Sequence, residues 1–396
     1  MNRPINRTVV SLDIGSSGLR AAQFSWRGRK CRLDRFASVP TPEGAVVAGV
    51  VADPAALAKG LKDLWALGKF TTKRVVFGLA NDRILVRQLD LDWMEPNDFR
   101  KALAYSVADQ IPMSVDEANL DFHVLEEIPA SVELGLERTM RVLLVAAGRD
   151  MVETFVTAIN EAGLQPVKAE LAPFALVRAA CTPHPADGGS AAPVEGAPAM
   201  AEAIVDIGSD TLTVVVHAGG QPRFVRTVGK LGGRYITGEL QQKFGWSYEE
   251  AESAKAQYGL PRPRTSVPEQ RGAMPDGGLV ALEHPAQQAI AERAASVVAE
   301  VRTTLNFFLS ASTGISGLSR VVLTGGGAAL SGLPERIADG LKVEVVTLPA
   351  PPEMRLEGPA GQPAAASNGA SGTAVPAGSA PTTGLALLAG LALGMA

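Results

Sequence analysis

Two copies of one short string are the part of the sequence best suited to chemistry. Asp-Ile-Gly-Ser occurs at Asp13–Ser16 and again at Asp206–Ser209, 193 residues later. Glycine lets the backbone come close to a ligand, so successive N–H groups can point at one anion, and the serine hydroxyl adds a further donor. The aspartate would repel a phosphate directly, but it can hold Mg²⁺ through water. The repetition favours two phosphate-binding hairpins, although one copy alone would equally suit an ordinary tight turn.

Three consecutive glycines form a further candidate contact with a ligand. Gly325–Gly327 follow the β-type run Val321–Thr324. Glycines at a strand end allow a flat or charged ligand to approach the main chain closely, although a plain strand-to-helix turn is the alternative. The string is not G-x-G-x-x-G and has no acidic residue at the position that contacts ribose in dinucleotide-binding folds. A nicotinamide cofactor is therefore disfavoured.

The elements that must position these residues are repeated as well. Each half begins with a strand, a tight Gly-Ser hairpin, a second strand, a turn and a third strand, which indicates an internal duplication. Strand and helix patterns then alternate, which is typical of the α/β class. The predicted repeated strands are Thr8–Ile14, Leu19–Trp26 and Cys31–Val39, then Ala203–Ile207, Thr211–His217 and Pro222–Val228. Further predicted elements are strands at Arg83–Leu91, Asn119–Glu126, Arg141–Ala147 and Arg320–Thr324 and helices at Pro96–Gln110, Arg149–Ala162, Tyr248–Tyr258, Ala286–Ser312 and Leu333–Leu341.

Low-complexity segments separate these elements. Thr182–Met200, Pro261–Gly278 and Gly358–Thr383 are rich in Pro, Gly, Ala and Ser and have little to bury. The last of them leads into Gly384–Ala396, which is apolar throughout. This stretch is shorter than the roughly 20 residues that a spanning helix needs. It is therefore expected to be a terminal helix docked on the protein.

Composition excludes several classes of protein. Lys and Arg number 37 against 41 Asp and Glu, a formal charge of −4, so a dedicated nucleic-acid-binding surface is not expected. The two cysteines, Cys31 and Cys181, are expected to be free thiols in a reducing cytosol. The four histidines lie far apart without zinc spacing and are expected to be surface or packing residues. The N-terminus lacks the apolar stretch of a secretion signal, which favours a cytoplasmic location.

The order of the three glycine motifs resembles that of the actin-like ATPase superfamily. There the two Asp-Ile-Gly-Ser strings and Thr324–Gly327 correspond to the phosphate-1, phosphate-2 and adenosine motifs. Within the superfamily the chain is most similar to the PilM family of type IV pilus assembly proteins, relatives of the cell-division protein FtsA. The strings that carry this resemblance are Leu231-Gly232-Gly233 with Ile236-Thr237, Ala251-Glu252 with Lys255, Glu300-Val301-Arg302 with Leu305 and Phe307, and Gly384–Leu387.

The resemblance implies an actin-like fold of two duplicated, ribonuclease-H-like lobes with an inserted subdomain of the FtsA type. The expected divisions are 1–83 with 145–185 and 384–396 for the first lobe, 84–144 for the inserted subdomain, 186–200 for a linker, 201–235 with 290–350 for the second lobe, 236–289 for its smaller subdomain and 358–383 for a low-complexity connector.

The same resemblance implies ATP and Mg²⁺ in a cleft between the lobes. Asp13 and Asp206 would order the hydrated metal, while Glu252 and Lys255 would reach the ribose and base, unless they form an ordinary helical ion pair. Arg20 replaces the lysine usual in the family, and it can bind phosphate bidentately. Glu170 lies near the position of the family's water-positioning residue, although an ordinary solvated carboxylate is the alternative. Because no residue is a clear water-activating base, hydrolysis is expected to be slow. The residues implied to contact ATP are Gly15, Ser16, Ser17, Arg20, Gly208, Ser209, Thr211, Gly232, Gly233, Glu252, Lys255, Gly325, Gly326 and Gly327.

The function implied is that of a cytoplasmic scaffold of the pilus machine. It would bind a short N-terminal peptide of the inner-membrane protein PilN, near the inserted subdomain, link the envelope complex to the motor, and associate with the membrane through partners. A small-molecule kinase of the same superfamily would need a catalytic aspartate, and no distinctive candidate exists beyond Asp13 and Asp206. An FtsA-like filament protein would carry a basic amphipathic tail, whereas this tail has no Lys or Arg. The similar type II secretion protein would need a spanning helix and a periplasmic domain.

Overall fold

The repeated strand pattern of the sequence forms two five-stranded sheets with the same internal order. The computed structural model describes residues 8–27, 30–130, 135, 137–181, 199–260, 284–312, 314–348 and 382–395. The strands are β1 (Thr8–Ile14), β2 (Gly18–Arg27), β3 (Lys30–Pro40), β4 (Val46–Val47), β5 (Val50–Val51), β6 (Arg74–Leu79), β7 (Ile84–Asp92), β8 (Ala118–Ile128), β9 (Thr139–Gly148), β10 (Gln165–Leu171), β11 (Ala199–Ile207), β12 (Thr211–Ala218), β13 (Gln221–Gly229), β14 (Ile315–Thr324) and β15 (Glu344–Thr347). The helices are α1 (Pro54–Gly68), α2 (Pro96–Ser106), α3 (Arg149–Glu161), α4 (Ala172–Ala180), α5 (Gly233–Phe244), α6 (Tyr248–Tyr258), α7 (Pro285–Ala311), α8 (Leu333–Leu341) and α9 (Thr382–Leu393).

The two large sheets have equivalent topologies. The first has the order β10-β6-β1-β2-β3 and the second β13-β12-β11-β14-β15. In each, the first three strands form an antiparallel meander, and two later strands add in parallel to the first. The predicted duplication and the α/β class are confirmed. The carboxyl ends of β1, β6 and β10, and of β11 and β14, therefore lie where an open α/β sheet binds its ligands.

A pair of helices, α4 and α9, fills the layer between the two sheets. On one side Ala175, Leu388 and Leu391 pack with Phe24 of the first sheet. On the other side Leu176, Val177 and Ala386 pack with Ile204, Val215 and Val322 of the second sheet. Full burial of a leucine contributes roughly 1.5–3 kcal/mol, so this layer stabilises the contact between the lobes. The prediction of a docked terminal helix is confirmed.

The outer face of each sheet is covered by other helices. Leu57 and Leu61 of α1 and Phe155 of α3 pack on the first sheet, where the Phe77 and Phe155 ring centroids are 6.0 Å apart. Helices α5, α6, α7 and α8 cover the second sheet, with Leu240, Val301 and Leu305 fully or almost fully buried. The helices of each half thus fix the carboxyl ends of its central strands.

The segment between β6 and β10 contains a small separate sheet. Its strand order is β7-β9-β8, and α2 covers one face. Phe99 and Leu103 of α2 are buried against Val142 and Leu144, and the Phe99 and Phe122 rings meet edge to face at 4.6 Å. This small sheet with α2 begins at Ile84, where the inserted subdomain is expected, but β9 runs to Gly148, beyond the expected boundary at residue 144.

Several boundaries differ from the sequence prediction. The helix expected at Pro96–Gln110 ends at Ser106 and continues as a 3-10 turn at Ala108–Gln110, because Val107 leaves helical geometry with φ −117°. Strand β14 begins at Ile315, five residues earlier than predicted. Most of the predicted linker and loop segments, namely 182–198, 261–278 and 358–381, lie outside the described residues. Among the helices described, none combines the length and apolar character needed to cross a bilayer.

Candidate nucleotide-binding cleft

A cleft of about 290 Å³ opens between the two large sheets at the carboxyl ends of their central strands. It brings together both Asp-Ile-Gly-Ser hairpins and the triple-glycine turn, which are far apart in the sequence. Gly18 and Gly232 are not among its lining residues. The sequence-predicted residues that line it are Asp13, Gly15, Ser16, Ser17, Arg20, Asp206, Gly208, Ser209, Thr211, Gly233, Glu252, Lys255, Gly325, Gly326 and Gly327.

Both hairpins are closed by a backbone hydrogen bond across the turn. Gly15 N donates to Gly18 O at 3.1 Å, and Gly208 N donates to Thr211 O at 2.9 Å. Gly15 and Gly208 do not have positive φ. Glycine is favoured at these positions because there is little room for a side chain. A Cβ at Gly15 would lie 3.1 Å from Gly18 O, and one at Gly208 would lie 3.3 Å from Thr211 O. Glycine at these two positions therefore allows each turn to be tight. The serines of both turns, Ser16, Ser17 and Ser209, line the cleft.

The two aspartates face the same part of the cleft, and the charge of one affects the proton affinity of the other. Burial raises the pKa of Asp13, and this effect is partly offset by Arg20, whose Nη1 lies 3.0 Å from Asp13 Oδ2. Burial and then the charge of Asp13 raise the pKa of Asp206 to about 7, with Arg20 opposing. When both carboxyls are ionised, the single guanidinium leaves an excess of negative charge, which a cation can neutralise.

The donor set fits Mg²⁺ held jointly with phosphate. Within the part of the chain that the structure describes, no three His, Cys, Asp or Glu side chains cluster closely enough to hold a metal ion by themselves. Mg²⁺ characteristically binds through one or two carboxylates and keeps several waters, with substrate phosphates completing its shell. Asp13 and Asp206 match that requirement.

The triple-glycine turn has a different constraint at each position. Gly325 has φ +84°, and a Cβ there would collide with Asp206 Oδ1 and Ile207 O. A Cβ on Gly327 would collide with the Ile207 side chain. At Gly326 nothing among the described residues lies within 4 Å of the Cβ position, so this residue borders open space. Gly325 and Gly327 thus hold the turn against β11, and Gly326 presents bare backbone to the cleft.

Behind this turn the cleft continues into an apolar pocket of about 190 Å³. Glu252 and Lys255 line both spaces, and their ion pair is 2.7 Å long. Lys255 Nζ also donates to Thr237 Oγ1 at 2.7 Å and Gly233 O at 3.2 Å. Helix α6 is fixed at its start by a capping box between Ser247 and Glu250. Glu252 and Lys255 therefore form the helical ion pair that was the alternative interpretation, and they also border the cleft where ribose and base contacts were expected.

Gly232 stabilises the second hairpin from outside the main cleft. It lines the apolar pocket, and a Cβ there would collide with Ser209 O. The next residues bond to the hairpin, since Gly233 N donates to Gly208 O and Arg234 N donates to Ser209 O, each at 2.9 Å. The Leu-Gly-Gly string thus ties the start of α5 to the phosphate-2 hairpin.

Three residues that connect the lobes were not predicted. Arg234 Nη2 donates to Ser16 O at 2.9 Å, which joins α5 to the first hairpin. Arg234 Nε lies 3.2 Å from Asp210 Oδ1, and Ala48 N donates to Asp210 Oδ2 at 3.0 Å. Asp210 is only 3% exposed. These contacts close the cleft at its edge.

Glu170 is not among the residues that line the cleft. Arg178 Nη2 lies 2.6 Å from its Oε1, Lys168 Nζ lies 3.5 Å from its Oε2, and the side chain is 10% exposed. It is neither a water-positioning group in this geometry nor the solvated carboxylate that was the alternative. Its ion-pair partner is Arg178 of α4, and both side chains lie next to Gly394, the residue that follows α9.

Comparisons with known proteins agree with this architecture. A family model described as type IV pilus assembly protein PilM matches residues 11–266, and one described as cell division protein FtsA matches residues 203–370. The cell division protein FtsA of Agrobacterium fabrum is 29% identical over 266 residues, which cover 65% of this chain and 58% of that protein. FtsA of Rhizobium meliloti is 28% identical over 249 residues, covering 61% and 54%. The chain thus spans less than two thirds of the length of these curated relatives.

Among solved structures, a chain of the PilM–PilN type IV pilus biogenesis complex superposes with a TM-score of 0.67. It is 25% identical, and the match covers 86% of this chain and 88% of that one. The features expected of an actin-like ATPase are two lobes that each contain one five-stranded sheet, a small additional sheet in the first half, and the order of the three glycine motifs. With the PilM model matching well over half of its length, the chain belongs to the PilM family of type IV pilus assembly proteins and has an actin-like fold.

Proposed function

We propose that this protein is an ATP-binding scaffold of type IV pilus assembly. The observation that carries the proposal is the convergence of two Asp-Ile-Gly-Ser hairpins and a triple-glycine turn on one cleft. Backbone donors and hydroxyls of Gly15, Ser16 and Ser17 would bind phosphate from the first lobe. Those of Gly208, Ser209 and Thr211 would bind it from the second.

Mg²⁺, when bound, would neutralise the phosphates and the carboxylates of Asp13 and Asp206. Arg20 holds Asp13 in place in the cleft through their ion pair. The apolar pocket behind Gly326 suits the base, with Glu252 and Lys255 on its border toward the ribose. Under this proposal the divisions 1–83 with 145–185 and 384–396, 84–144, 201–235 with 290–350, and 236–289 have the lobe and subdomain roles expected from the sequence, except that β9 (Thr139–Gly148) extends the inserted subdomain past residue 144.

We further propose that hydrolysis is slow and that ATP acts mainly as a conformational ligand. Around the ends of β6 and β10 and the start of α4, the described lining residues are Gly78, Ala80, Ala172 and Leu176, whose side chains have no polar group to orient water. A ligand shifts a conformational equilibrium only through its different affinities for the two states. Phosphates between the hairpins would add contacts in the closed state, beside the Arg234–Ser16 hydrogen bond.

The proposed partner is the cytoplasmic N-terminal peptide of an inner-membrane PilN protein. The similar solved structure is a complex with PilN. A crevice of about 140 Å³ lies where the chain passes from the end of β6 to β7, bordered by Ile84, Leu85, Val86 and Pro173, with Val225 of β13 also in its lining. Strand β7 is an edge strand of the inserted subdomain, so an extended apolar peptide can pair along it. Binding there would place this protein in the cytoplasm at the inner membrane and link the envelope complex to the motor.

Two measurements test the proposal. Thermal-shift titration with ATP and Mg²⁺ should stabilise the parent and fail to stabilise Asp13→Ala and Asp206→Ala, while Asp63→Ala, an exposed change on α1, should behave as the parent. If ATP leaves the parent unchanged, or stabilises all variants equally, the cleft assignment is wrong. A pull-down with a PilN N-terminal peptide should retain the chain, and no retention with or without ATP would contradict the partner assignment.

A cell-division role is the second candidate function. It is favoured by the FtsA model over residues 203–370 and by the curated FtsA relatives. Retention on the PilN peptide would decide for the pilus role, because the peptide probes the first lobe and the inserted subdomain, outside the residues that the FtsA family model matches.

A further inference from the structure

A second cavity, of about 360 Å³, lies between the small β7-β9-β8 sheet and the second lobe. The three strands of the small sheet form one wall. Strand β13, the end of α7 and the starts of β11 and β14 form the other. Its described lining residues are all different from those of the nucleotide cleft. Small-molecule sites have volumes of about 300–1,000 Å³, so the cavity has room for a ligand of its own.

Irregular strand pairing directs several side chains into this cavity. In β13, Arg223 has no opposite residue in β12, because the residues on either side of it pair with consecutive residues there. Strand β8 has the same irregularity at Leu125, and the register of β11 with β14 shifts directly after Ala199 pairs with Ile315. All four residues line the cavity. A β-bulge re-aims a side chain and is frequent next to active sites, so three irregularities at one cavity favour a binding site over an accidental gap.

Arg223 brings to the cavity a cation that has no carboxylate partner among the described residues. Its Nε is buried and has no hydrogen-bond partner in the same part of the chain. Its Nη2 donates to Gln221 Oε1 at the long distance of 3.4 Å. By contrast Arg226, farther along β13, pairs with Glu300 at 3.1 Å. A buried donor without an acceptor is unfavourable, so an anion that enters the cavity would satisfy Arg223.

The other arginine of the cavity is already neutralised. Arg141 Nε and Nη2 donate to Asp90 Oδ1 and Oδ2 at 2.7 and 2.9 Å. Arg141 Nη1 donates to Glu126 Oε2 at 3.1 Å. Glu126 also lines the cavity and would repel a ligand with several negative charges. The described charges therefore suit a ligand with a single negative charge.

Apolar side chains complete the description of the site. Leu125, Phe308 and Ile315 line the cavity from β8, α7 and β14. Leu125 is 8% exposed and Phe308 is 4% exposed, so packing holds both in place. The Phe308 ring also packs on Phe224 of β13, with 5.8 Å between the ring centroids. A hydrocarbon chain in the cavity would be removed from water against these side chains.

We propose that this cavity binds a small organic acid, with its carboxylate on Arg223 and a short hydrocarbon chain against Leu125, Phe308 and Ile315. A guanidinium can bind a carboxylate through two parallel N–H···O bonds, which gives both strength and orientation. A phosphate would bring a second negative charge, for which the described lining offers no further unpaired cation. Because the two walls belong to different parts of the chain, the bound acid would hold the small sheet against the second lobe.

The test is the binding of hexanoate to the full chain, measured by ligand-observed NMR titration at about pH 7.5, where carboxylate and guanidinium are both charged. Hexanoate has one carboxylate and a short apolar chain, and we expect a Kd on the order of 1 mM. Hexanamide has the same shape without the charge, and acetate has the charge without the chain. Each should bind about tenfold more weakly than hexanoate, or weaker still.

Variants and hydrogen exchange locate the binding. Arg223→Gln should weaken hexanoate binding by at least about tenfold, because it removes the charged donor. Arg302→Gln, the same change at an exposed position of α7, should keep the affinity of the parent. In the parent, hexanoate should slow hydrogen exchange in the peptides that contain Leu125, Arg223 and Phe308.

Three results would overturn the proposal. Hexanoate could fail to bind the parent, or hexanamide could bind equally well, which would exclude recognition of the carboxylate. Equal binding by Arg223→Gln and the parent, or protection only in peptides outside the cavity, would mean an adventitious additive only. The probe comparison and the exchange map use the parent chain, so they decide the matter even if Arg223→Gln fails to fold.

Discussion

Replacing Asp206 by asparagine should have opposite effects on folding and on nucleotide binding. In the nucleotide-free protein, Asp206 is a half-buried carboxyl with a pKa of about 7, beside a second carboxyl and one arginine. The folded state keeps a proton on Asp206 that the unfolded chain loses above pH 3.8. Its contribution to stability is therefore increasingly unfavourable as the pH rises from 3.8 to about 7. An asparagine side chain at this position would have no charge to bury.

The magnitude follows from these two pKa values. Each pH unit between them changes the free energy of unfolding by about 1.4 kcal/mol, so the upper limit at pH 8 is about 4 kcal/mol. Because water reaches the cleft, we expect Asp206→Asn to be more stable than the parent by about 2 kcal/mol at pH 8 and about half as much at pH 5.5. In a chain of this size that corresponds to roughly 2–4 °C in Tm at pH 8.

The assay is differential scanning calorimetry without nucleotide and with a chelator, at both pH values, repeated with ATP and Mg²⁺. The same variant should lose most of the stabilisation that Mg²⁺ and ATP give the parent. Asp63→Asn, the same chemical change on an exposed part of α1, should alter neither quantity. The reasoning is refuted if Asp206→Asn is no more stable than the parent at pH 8, or if its advantage is equal at the two pH values.

Three further predictions concern the glycine turn, the edge of the cleft and the terminal helix. Gly325→Ala should lower the free energy of unfolding by at least about 2 kcal/mol in chemical denaturation, because φ is +84° and the new methyl meets backbone. Gly326→Ala should leave that free energy within about 0.5 kcal/mol and weaken ATP binding in calorimetric titration, and equal effects of the two would contradict the different roles assigned to them. Arg234→Ala should weaken ATP binding and increase the radius of gyration in X-ray scattering, since it removes contacts that close the cleft; an unchanged radius would count against a closing role. Gly384→Ala should weaken Mg²⁺-dependent ATP binding, because its Cβ would lie 3.0 Å from Arg20 Cδ and displace the guanidinium from Asp13, and unchanged titrations would show that Arg20 has room to adjust.

Much of the fold was predictable because its signals are local. Both hairpins and their flanking strands follow from short-range patterns, and their repetition indicated a duplication. The contacts that join the lobes have no such signal: Asp210 meets Ala48 over 162 residues, and Arg234 meets Ser16 over 218. These pairs depend on how the sheets pack, which periodicity within one segment does not determine.

The wrong prediction for Glu170 and the missed contact between Cys181 and His217 also have their origin in packing that local patterns do not determine. Glu170 was singled out by its place near the family's water-positioning residue, yet its side chain points to Arg178 because β10 alternates its faces. The cysteine–histidine pair was missed because Cys181 and His217 belong to different elements 36 residues apart. Spacing in the sequence indicated only that no zinc motif was present.

The position of α9 between the sheets has a consequence for how the chain folds during synthesis. The first sheet is complete once β10 has formed, but the face that includes Val9, Phe24 and Val76 is covered by α9, which is made about 200 residues later. At translation rates of about 5–20 residues per second, the part of this face that α4 does not cover stays exposed for roughly 10–40 s. During that interval the nascent first lobe exposes an apolar surface to other chains, so its yield should depend on chaperone capacity more than that of the second lobe does.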